Sequence, residues 1–407
     1  MTEEQAKQRS FFFLSLLCFA LADVADGLGP FFGIYLQQQG WTPDGIGFVM
    51  TAGGLVGLAG TAPMGAFADH TRRKRALVAA SVALMAASCG VIFLWSGAAS
   101  ATLSKLLQGA AAVAIKPALN AITLGMTGQR GFARRLGVNE AWNHAGNAFS
   151  AAASGFVGYV YGIPGVFFVM ACMGALALFS LSRIEPRCID YDAARGREGG
   201  GAACAGDYRK LFTDLPLLCV AVTLFFFHLG NAAMLPLLGQ SAVARFDVNP
   251  AAYTAGTVIL AQATMICTAL WGARTAKRRG YGMLFAVALA ALPVRGCVAG
   301  LWENPWNIIP VQMLDGVGAG LLGVATPGLA ARLLRGSGHV NLGLGFALTV
   351  QGVGAALSNT YGGLFAHHVS YGTAFLALGA APCIGLLLFA AGTRLLPELK
   401  RAAGAEE

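Results

Sequence analysis

Residues 65–75 read GAFADHTRRKR, and this short charged stretch separates two long apolar runs. The run before it covers residues 44–68, and the run after it covers residues 76–95. Each is long enough to form a helix that crosses the hydrocarbon core of a bilayer, which takes about 20 residues. The stretch therefore predicts a tight, positively charged connection between two membrane-spanning helices.

The same alternation of apolar runs and basic clusters continues along the whole chain. Of the 28 Lys and Arg residues, 24 fall in seven clusters, and two apolar runs separate each cluster from the next. The connections between those two runs carry only Arg245. Because cytoplasmic connections of membrane proteins are enriched in Lys and Arg, the pattern predicts twelve spans with both termini in the cytoplasm. The clusters lie at residues 7–9, 72–75, 130–135, 183–210, 274–279, 332–335 and 394–401.

The predicted fold is an all-α membrane protein with twelve transmembrane helices in two six-helix bundles. The N-terminal bundle is predicted at residues 1–183, a cytoplasmic linker loop at 184–212, and the C-terminal bundle at 213–407. The predicted spans are 11–36, 44–68, 76–95, 101–126, 136–161, 166–183, 213–238, 251–273, 281–301, 306–333, 341–366 and 372–396.

Matching landmarks in the two halves predict an internal repeat. Their offsets are nearly constant, between 206 and 207 residues, which indicates two copies of one six-span unit. The matched landmarks are Pro30 with Pro236, Gly65 with Gly272, Gln108-Gly109 with Asp315-Gly316, and Gly146 with Gly352.

The composition excludes a soluble protein and argues against nucleic-acid binding. Hydrophobic residues make up 56% of the chain and charged residues 12%, about half the charged share of a soluble domain. The net charge of +9 is divided among the basic clusters, where it faces anionic lipid headgroups. The apolar run from residue 11 continues to Leu36, too long for a signal peptide. Nine cysteines form no Cys-x-x-Cys pair, so we expect neither a disulfide framework nor a zinc site. We also expect no cofactor and no metal site.

The stretch at residues 65–75 resembles the signature loop of the major facilitator superfamily, Gly-x-x-x-Asp-(Arg/Lys)-x-Gly-Arg-Arg. Gly65, Asp69 and the basic run match, while His70 and Arg72 depart from the pattern. The resemblance implies a cytoplasmic gate that involves Gly65, Asp69, Arg72 and Arg73.

A second motif lies in the fourth span, where Lys105, Gln108 and Gly109 resemble the family's Arg-x-x-Gln-Gly sequence. In proton-driven members this basic residue is linked to proton transfer. The antiporter motif of the fifth span, a Gly-Pro followed by paired glycines, is absent from this chain.

Ionisable residues in the middle of spans are costly and are therefore candidate functional residues. Asp23 and Asp26 lie near the middle of the first span and are predicted to share one helical face, where they disfavour joint ionisation. Lys116 lies mid-span in the fourth helix, with Asn120 one turn later. It is predicted either to pair with Asp23 or Asp26 or to attract an anionic group of a substrate.

Further polar residues lie in the fifth and seventh spans. Glu140, Asn143, His144 and Asn147 recur at helical spacing, and a lipid-facing helix would not carry such a stripe. In the seventh span, His228 and Asn231 are candidates. Either histidine would titrate near neutral pH or form a hydrogen bond between helices. Weaker candidates are Gln262 and Asp315, and Arg295 is expected to reach the external interface or to pair with Glu303.

The resemblance implies a secondary active transporter in a bacterial inner membrane, a monomer that works by alternating access. We expect proton-coupled efflux of a small polar organic compound. The alternative within transport is proton-coupled uptake of an organic anion or nutrient. An alternative of another class is a non-transporting membrane receptor. An enzyme is not expected, because no catalytic cluster or nucleotide fingerprint is present in the sequence.

Overall fold

A computed structural model describes residues 3–95, 97–191, 213–335 and 340–405, and most of them are helical. Within these ranges no strand is present, as expected for an all-α membrane protein. Residues 192–212, which hold the glycine-rich part of the predicted linker, lie outside the described residues. The fourteen helices in the described ranges are α1 Glu3–Val24, α2 Phe31–Gln38, α3 Pro43–His70, α4 Lys74–Leu94, α5 Ala98–Tyr161, α6 Pro164–Arg183, α7 Leu215–Asn231, α8 Met234–Arg245, α9 Pro250–Arg279, α10 Tyr281–Leu301, α11 Ile308–Leu333, α12 Val340–His368, α13 Tyr371–Leu395 and α14 Pro397–Ala403.

Each of the twelve predicted spans coincides with helix in the structure. Among the described residues, nine helical stretches are long and apolar enough to cross a membrane. The other three predicted spans correspond to α1 with α2, to α3, and to the second part of α5. The first and fifth of the predicted spans carry the acidic residues Asp23, Asp26 and Glu140, which lower their mean hydropathy.

Two spans that the sequence predicts as continuous helices are interrupted near their middle. The first breaks into turns at residues 25–30, between α1 and α2, and the seventh breaks at Ala232 and Ala233, between α7 and α8. Pro30 ends the first interruption, and proline cannot donate the backbone hydrogen bond of a helix interior. Gly27 and Gly29 adopt φ angles of 63° and 48°, a left-handed conformation that favours glycine.

The segment α5 consists of two helices, the predicted fourth and fifth spans, which follow each other across a kink without an intervening loop. The predicted basic connection is helical, and the backbone departs from helical geometry at Gly128, whose φ is 63°. Arg134 and Arg135 therefore project from a helix and not from a loop.

The chain divides into two compact units, each with its own apolar core. The first unit comprises Met1–Tyr35, Ala52–Ala202 and Pro250–Ala255, and the second comprises Leu36–Thr51, Ala203–Asn249 and Gly256–Glu407. The core of the first unit, from α1, α4, α5 and α6, includes Leu14, Leu17, Leu21, Val82, Met85, Ile115, Ile122 and Met173. The core of the second unit, mostly from α7, α10, α11 and α13, includes Leu217, Leu224, Phe227, Phe285, Leu289, Leu321 and Phe389.

One close helix contact occurs in the same form in both units. In the first unit, a Cβ on Gly146 of α5 would lie 2.0 Å from the carbonyl oxygen of Phe19 in α1. In the second unit, a Cβ on Gly354 of α12 would lie 2.3 Å from the carbonyl oxygen of Phe225 in α7. Small residues allow helix backbones in membranes to approach this closely. Phe19 and Phe225 are 206 residues apart, which is the offset of the predicted repeat. The glycines of the contact are 208 residues apart, so Gly354 and not the predicted Gly352 matches Gly146 here.

Candidate functional site

The interruption of the first span places two carboxylates in a non-helical segment of the first unit. Asp23 lies in the last turn of α1, while Asp26 lies within the turns that follow. The prediction that both share one face of a continuous helix is therefore wrong, because the helix ends at Val24. The carboxylate of Asp23 lies near Ser150 of α5, and its Oδ2 atom is buried without a hydrogen-bond partner.

Asp26 lies among basic side chains from α5. It is exposed, and its carboxylate interacts electrostatically with Lys116 and Lys105. Lys116 and Asn120 are also exposed on α5, one turn apart. The side chains of Asp26, Lys116 and Asn120 all keep accessible surface, unlike the completely buried side chain of Arg295 in the second unit.

The residues of the fourth-span motif lie next to this cluster and are joined by hydrogen bonds. Lys105 Nζ donates to Gln108 Oε1 at 2.9 Å and lies 4.5 Å from the centre of the Phe32 ring. The amide of the buried Gln108 donates in turn to Ser104 Oγ at 3.1 Å. A Cβ on Gly27 would lie 2.8 Å from Gln108 Oε1, so the interruption fits directly against this amide.

The polar residues of the fifth span differ in their exposure and in their partners. Asn147 donates weakly to Asn143 at 3.4 Å, and Glu140 is exposed. His144 is partly buried and has an interaction partner. Together these four residues form one polar side of α5 in the first unit.

A structural network that the sequence analysis missed lies at the start of the same stripe. Arg135 Nη2 donates to Ser15 Oγ at 2.6 Å and to the carbonyl of Phe11 at 2.7 Å. Its Nε donates to the buried Asn139, which donates to Thr123 Oγ1 at 2.9 Å. Arg135 therefore joins α5 to α1 instead of facing the cytoplasm as part of a basic loop.

The second unit holds a polar cluster centred on Arg295 of α10. The Arg295 side chain is completely buried, and its Nη1 atom lies 2.9 Å from Asp315 Oδ1 of α11. The same Nη1 donates to Asn231 Oδ1 at 2.5 Å, and Asn231 is the last residue of α7 before its interruption. The prediction that Arg295 reaches the interface or pairs with Glu303 is wrong. Glu303 pairs instead with Arg245, which lies at the end of α8.

Further polar side chains flank this second cluster. Gln312 lies one turn before Asp315 on α11, is fully buried, and has no hydrogen-bond partner at either amide atom. His228 lies one turn before Asn231 on α7 and is partly buried. Gln262 on α9 is also partly buried and has a partner.

The two clusters occupy corresponding positions in the repeat. Lys105 and Gln108 correspond to Gln312 and Asp315 at the offset of 207 residues that relates Gly109 to Gly316. In the first unit Gln108 lies against the interruption of the first span, and in the second unit Asp315 is linked through Arg295 to Asn231, the last residue before the interruption. Interrupted helices at corresponding positions of two repeats point to substrate and ion sites in secondary transporters.

The signature loop at residues 65–75 neutralises helix ends in the first unit. Lys74 is buried and donates to the carbonyl of Ala68 at 2.7 Å, near the end of α3. Arg75 donates to the carbonyl of Leu181 at 2.9 Å, near the end of α6. Cations are favourable at helix C-termini, where carbonyl groups lack partners.

The structure describes the side chains of only two of the four predicted gate residues. Gly65 and Asp69 lie in the last turns of α3, and their side-chain positions are outside what the structure describes. Arg72 and Arg73 are exposed. The roles of Lys74 and Arg75 could have been predicted from their position directly after a helix end.

No metal centre emerges from the described part of the chain. There, no three residues of the types His, Cys, Asp and Glu come together in a group that could hold a metal ion.

Comparisons with known proteins place this geometry in a family. The model of the Major Facilitator Superfamily matches residues 12–294. Two uncharacterized MFS-type transporters of Mycobacterium tuberculosis, MT2531 from strain CDC 1551 and Rv2456c from strain H37Rv, are 38% identical over 380 residues, which is 92% of this chain and 91% of each relative.

Solved structures share the fold at low sequence identity. The nucleoside transporter NupG has a TM-score of 0.76 at 14% identity, with 95% of this chain and 98% of NupG covered. A POT family transporter in complex with a thioalcohol conjugated peptide has a TM-score of 0.71 at 12% identity, with 97% and 96% covered. With its twelve predicted spans on helices and its family model across most of the chain, this protein belongs to the major facilitator superfamily of membrane transporters.

Proposed function

We propose that the protein is a proton-coupled secondary transporter that carries a small polar organic solute by alternating access. The observation that carries the proposal is the cluster of Asp23, Asp26, Lys105 and Lys116 beside the interruption of the first span. Ionisable groups at membrane depth mark ion and substrate pathways. A carboxylate whose basic partners move during a conformational change gains or loses a proton, because a nearby opposite charge favours its ionised form.

Asp26 is the proton carrier in this proposal, and Asp23 is its neighbour. Asp26 interacts with two lysines and keeps accessible surface although protein atoms surround it closely, whereas Asp23 lies near Ser150. A group that loads and releases protons needs a path to water, and the accessible surface of Asp26 supports such a path. The buried Oδ2 of Asp23 has none of its own.

The solute is proposed to be polar because both clusters combine charges of both signs with amides. Asn120, Asn143 and Asn147 add amide groups to the cluster of the first unit, and Asn231 and Gln312 add them in the second. Amide side chains both donate and accept hydrogen bonds, so they suit hydroxyl and amine groups of a polar solute. The efflux direction expected from the sequence stays a prediction, since the imposed gradients decide the direction of a reversible carrier.

The proposed topology has both termini in the cytoplasm of a bacterial cell. It is supported by the basic residues that end α9, namely Lys277, Arg278 and Arg279, and by Arg183 at the end of α6. Lys and Arg are retained on the cytoplasmic side. A monomer is the proposed working form.

The test begins with the purified protein in detergent. A panel of small polar solutes is screened by thermal shift, and the solutes that stabilise the protein are then used in proteoliposomes with an imposed pH gradient. We expect accumulation against a solute gradient that a protonophore abolishes. Accumulation that the protonophore leaves unchanged would contradict proton coupling.

Two variants then test Asp26. Asp26→Asn should abolish accumulation driven by the pH gradient but keep exchange of labelled for unlabelled solute, because exchange requires no net proton movement. Asp247→Asn is the matched control, since Asp247 is exposed in the connection between α8 and α9. If Asp26→Asn accumulates solute as the control does, Asp26 does not carry the proton.

A further inference from the structure

Only one of the three guanidinium nitrogen atoms of Arg295 has partners in the protein. Its Nη1 atom binds Asp315 and Asn231, while its Nε and Nη2 atoms are buried without any hydrogen-bond partner. Both amide atoms of the buried Gln312, one turn before Asp315, are also without partners. Buried donors of a charged group are almost always paired in folded proteins. Neither atom has accessible surface in this structure, so a partner reaches the free edge of Arg295 only when the helices around it move apart.

The shape of the free edge selects the occupant. The N–H groups of Nε and Nη2 point in parallel from one side of the guanidinium plane, and such a fork matches the two oxygens of a carboxylate. A hydroxyl or a carbonyl oxygen satisfies only one of the two donors. Arg295 lies six residues before the end of α10, a depth of about 9 Å at the rise of an α-helix.

Charge balance links this occupant to a proton. In the present state the charges of Arg295 and Asp315 cancel each other. A second carboxylate on the same guanidinium leaves a net negative charge in a site of low dielectric constant, which is strongly unfavourable. Protonation of Asp315 restores neutrality, because two carboxylates that share one site do not both stay ionised.

We propose that the free Nε and Nη2 edge of Arg295 binds a carboxylate of the transported solute, and that each carboxylate bound there is accompanied by one proton on Asp315. This proposal rests on the proposed transport function and names the chemical class of its solute. It also gives the second unit a proton site of its own, separate from Asp26.

A pH dependence caused by other titratable groups on the helices of the second unit has to be distinguished from one caused by Asp315. On α7, His228 lies one turn before Asn231 and titrates near neutral pH in its ordinary state. The remaining titratable side chains away from the helix ends are Cys219 on α7, Cys267 on α9, Cys297 on α10, Tyr361 on α12 and Cys383 on α13. Thiols and phenols titrate well above neutral pH, so His228→Gln is the control that matters.

The first experiment measures acetate binding to the purified full-length protein, with acetamide as the uncharged analogue and chloride as the ionic-strength control. We expect acetate alone to raise the unfolding temperature, with an apparent Kd that weakens about tenfold per pH unit where Asp315 is ionised, as linkage to one proton requires. Calorimetry in two buffers of different ionisation enthalpy should show one proton taken up per acetate. Equal effects of acetate, acetamide and chloride, or no effect of any, would overturn the proposal.

The second experiment uses variants of the pair. Asp315→Asn should bind acetate at least tenfold more tightly at pH 7.5 and without pH dependence, because Arg295 is then an unbalanced charge. The double variant Arg295→Met, Asp315→Asn should lose acetate binding, while His228→Gln should keep the pH dependence. If the acetate affinity of Asp315→Asn still depended on pH, another group would take up the proton. The proposed coupling of carboxylate binding to Asp315 would then be wrong.

These outcomes are independent of the transport assay. Acetate binding is measured without a membrane gradient, so its failure leaves proton-coupled transport standing. In the same way, a protonophore-insensitive carrier could still bind a carboxylate at Arg295. A variant that is not monodisperse in gel filtration is excluded from the comparison, and the wild-type measurement alone then decides.

Discussion

Arg295 and Asp315 form an ion pair at 2.9 Å in which the arginine side chain is completely buried and the aspartate side chain keeps 13% of its exposure. Neither residue has an alternative charged partner in the structure as described. A buried charge that loses its partner is destabilising by about 3–5 kcal/mol, whereas removal of both charges together costs much less. The pair therefore couples α10 to α11 only while both charges are present.

The first prediction follows from this coupling. Arg295→Met should lower the free energy of unfolding by several kcal/mol, since it leaves Asp315 unbalanced, and the double variant Arg295→Met, Asp315→Leu should recover most of the loss. Denaturation in detergent, followed by tryptophan fluorescence, measures both. The free energy lost in the double variant is compared with the sum of the losses in Arg295→Met and Asp315→Leu. Equality of the two would show that the residues do not interact.

A second prediction concerns the interruption of the first span. Gly27 and Gly29 both have positive φ, so alanine at either position carries the strain of a left-handed conformation, about 1–2 kcal/mol. Only at position 27 does the new Cβ meet Gln108 Oε1 at 2.8 Å, because nothing lies closer than 4.0 Å at position 29. Gly27→Ala should therefore unfold at a lower temperature than Gly29→Ala.

A third variant isolates the contact with Gln108. Because Gln108→Ser also removes hydrogen bonds to Lys105 and Ser104, Gln108→Ser alone is the reference for the double variant Gly27→Ala, Gln108→Ser. Relative to that reference, Gly27→Ala should lower the melting temperature only as much as Gly29→Ala lowers that of the wild type. A larger decrease would attribute the effect at position 27 to the backbone and not to the contact with Gln108.

The sequence predicted the helices well because the membrane imposes one simple rule on them. A run of about 20 apolar residues has few alternatives to a spanning helix, and basic clusters mark its ends. The break at residues 25–30 has a visible cause in Pro30. The break at Gly128 lies within the connection that the sequence predicts between the spans 101–126 and 136–161.

The candidate site was predicted less well because it depends on which helices meet. Four basic residues lie outside the seven clusters, namely Lys105, Lys116, Arg245 and Arg295. That shared property singles out Arg295 as clearly as Lys116. Its partner Asp315 is 20 residues away in the next helix, and only the packing of α10 against α11 brings them together.

A further prediction tests the contact that occurs in both units. Gly146→Ala places a Cβ 2.0 Å from the Phe19 carbonyl oxygen, and a backbone atom cannot move aside without shifting α1. Overpacking of this kind costs about 1–3 kcal/mol. Gly137→Ala in the same helix meets nothing within 4 Å and should gain up to about 1 kcal/mol from helix propensity.

The second unit supplies an independent check of that contact. Gly354→Ala should be destabilising for the same reason as Gly146→Ala, because its Cβ meets the Phe225 carbonyl at 2.3 Å. Melting temperatures in one detergent compare the variants. Equal values for Gly146→Ala and Gly137→Ala would show that α1 and α5 do not approach as closely as described.

The last prediction concerns the signature loop. Lys74 is completely buried and donates to the Ala68 carbonyl, whereas its neighbour Arg73 is exposed. Lys74→Met keeps the length of the side chain but removes the cation and the donor, and an unpaired buried acceptor costs about 1–3 kcal/mol. Arg73→Met removes the same charge from an exposed site and should change stability by less than about 0.5 kcal/mol. Thermal unfolding of the two variants separates a cap on α3 from a general effect of positive charge in the loop. Equal losses would favour the general effect, while a loss confined to Lys74→Met identifies Lys74 as the residue that closes the end of α3.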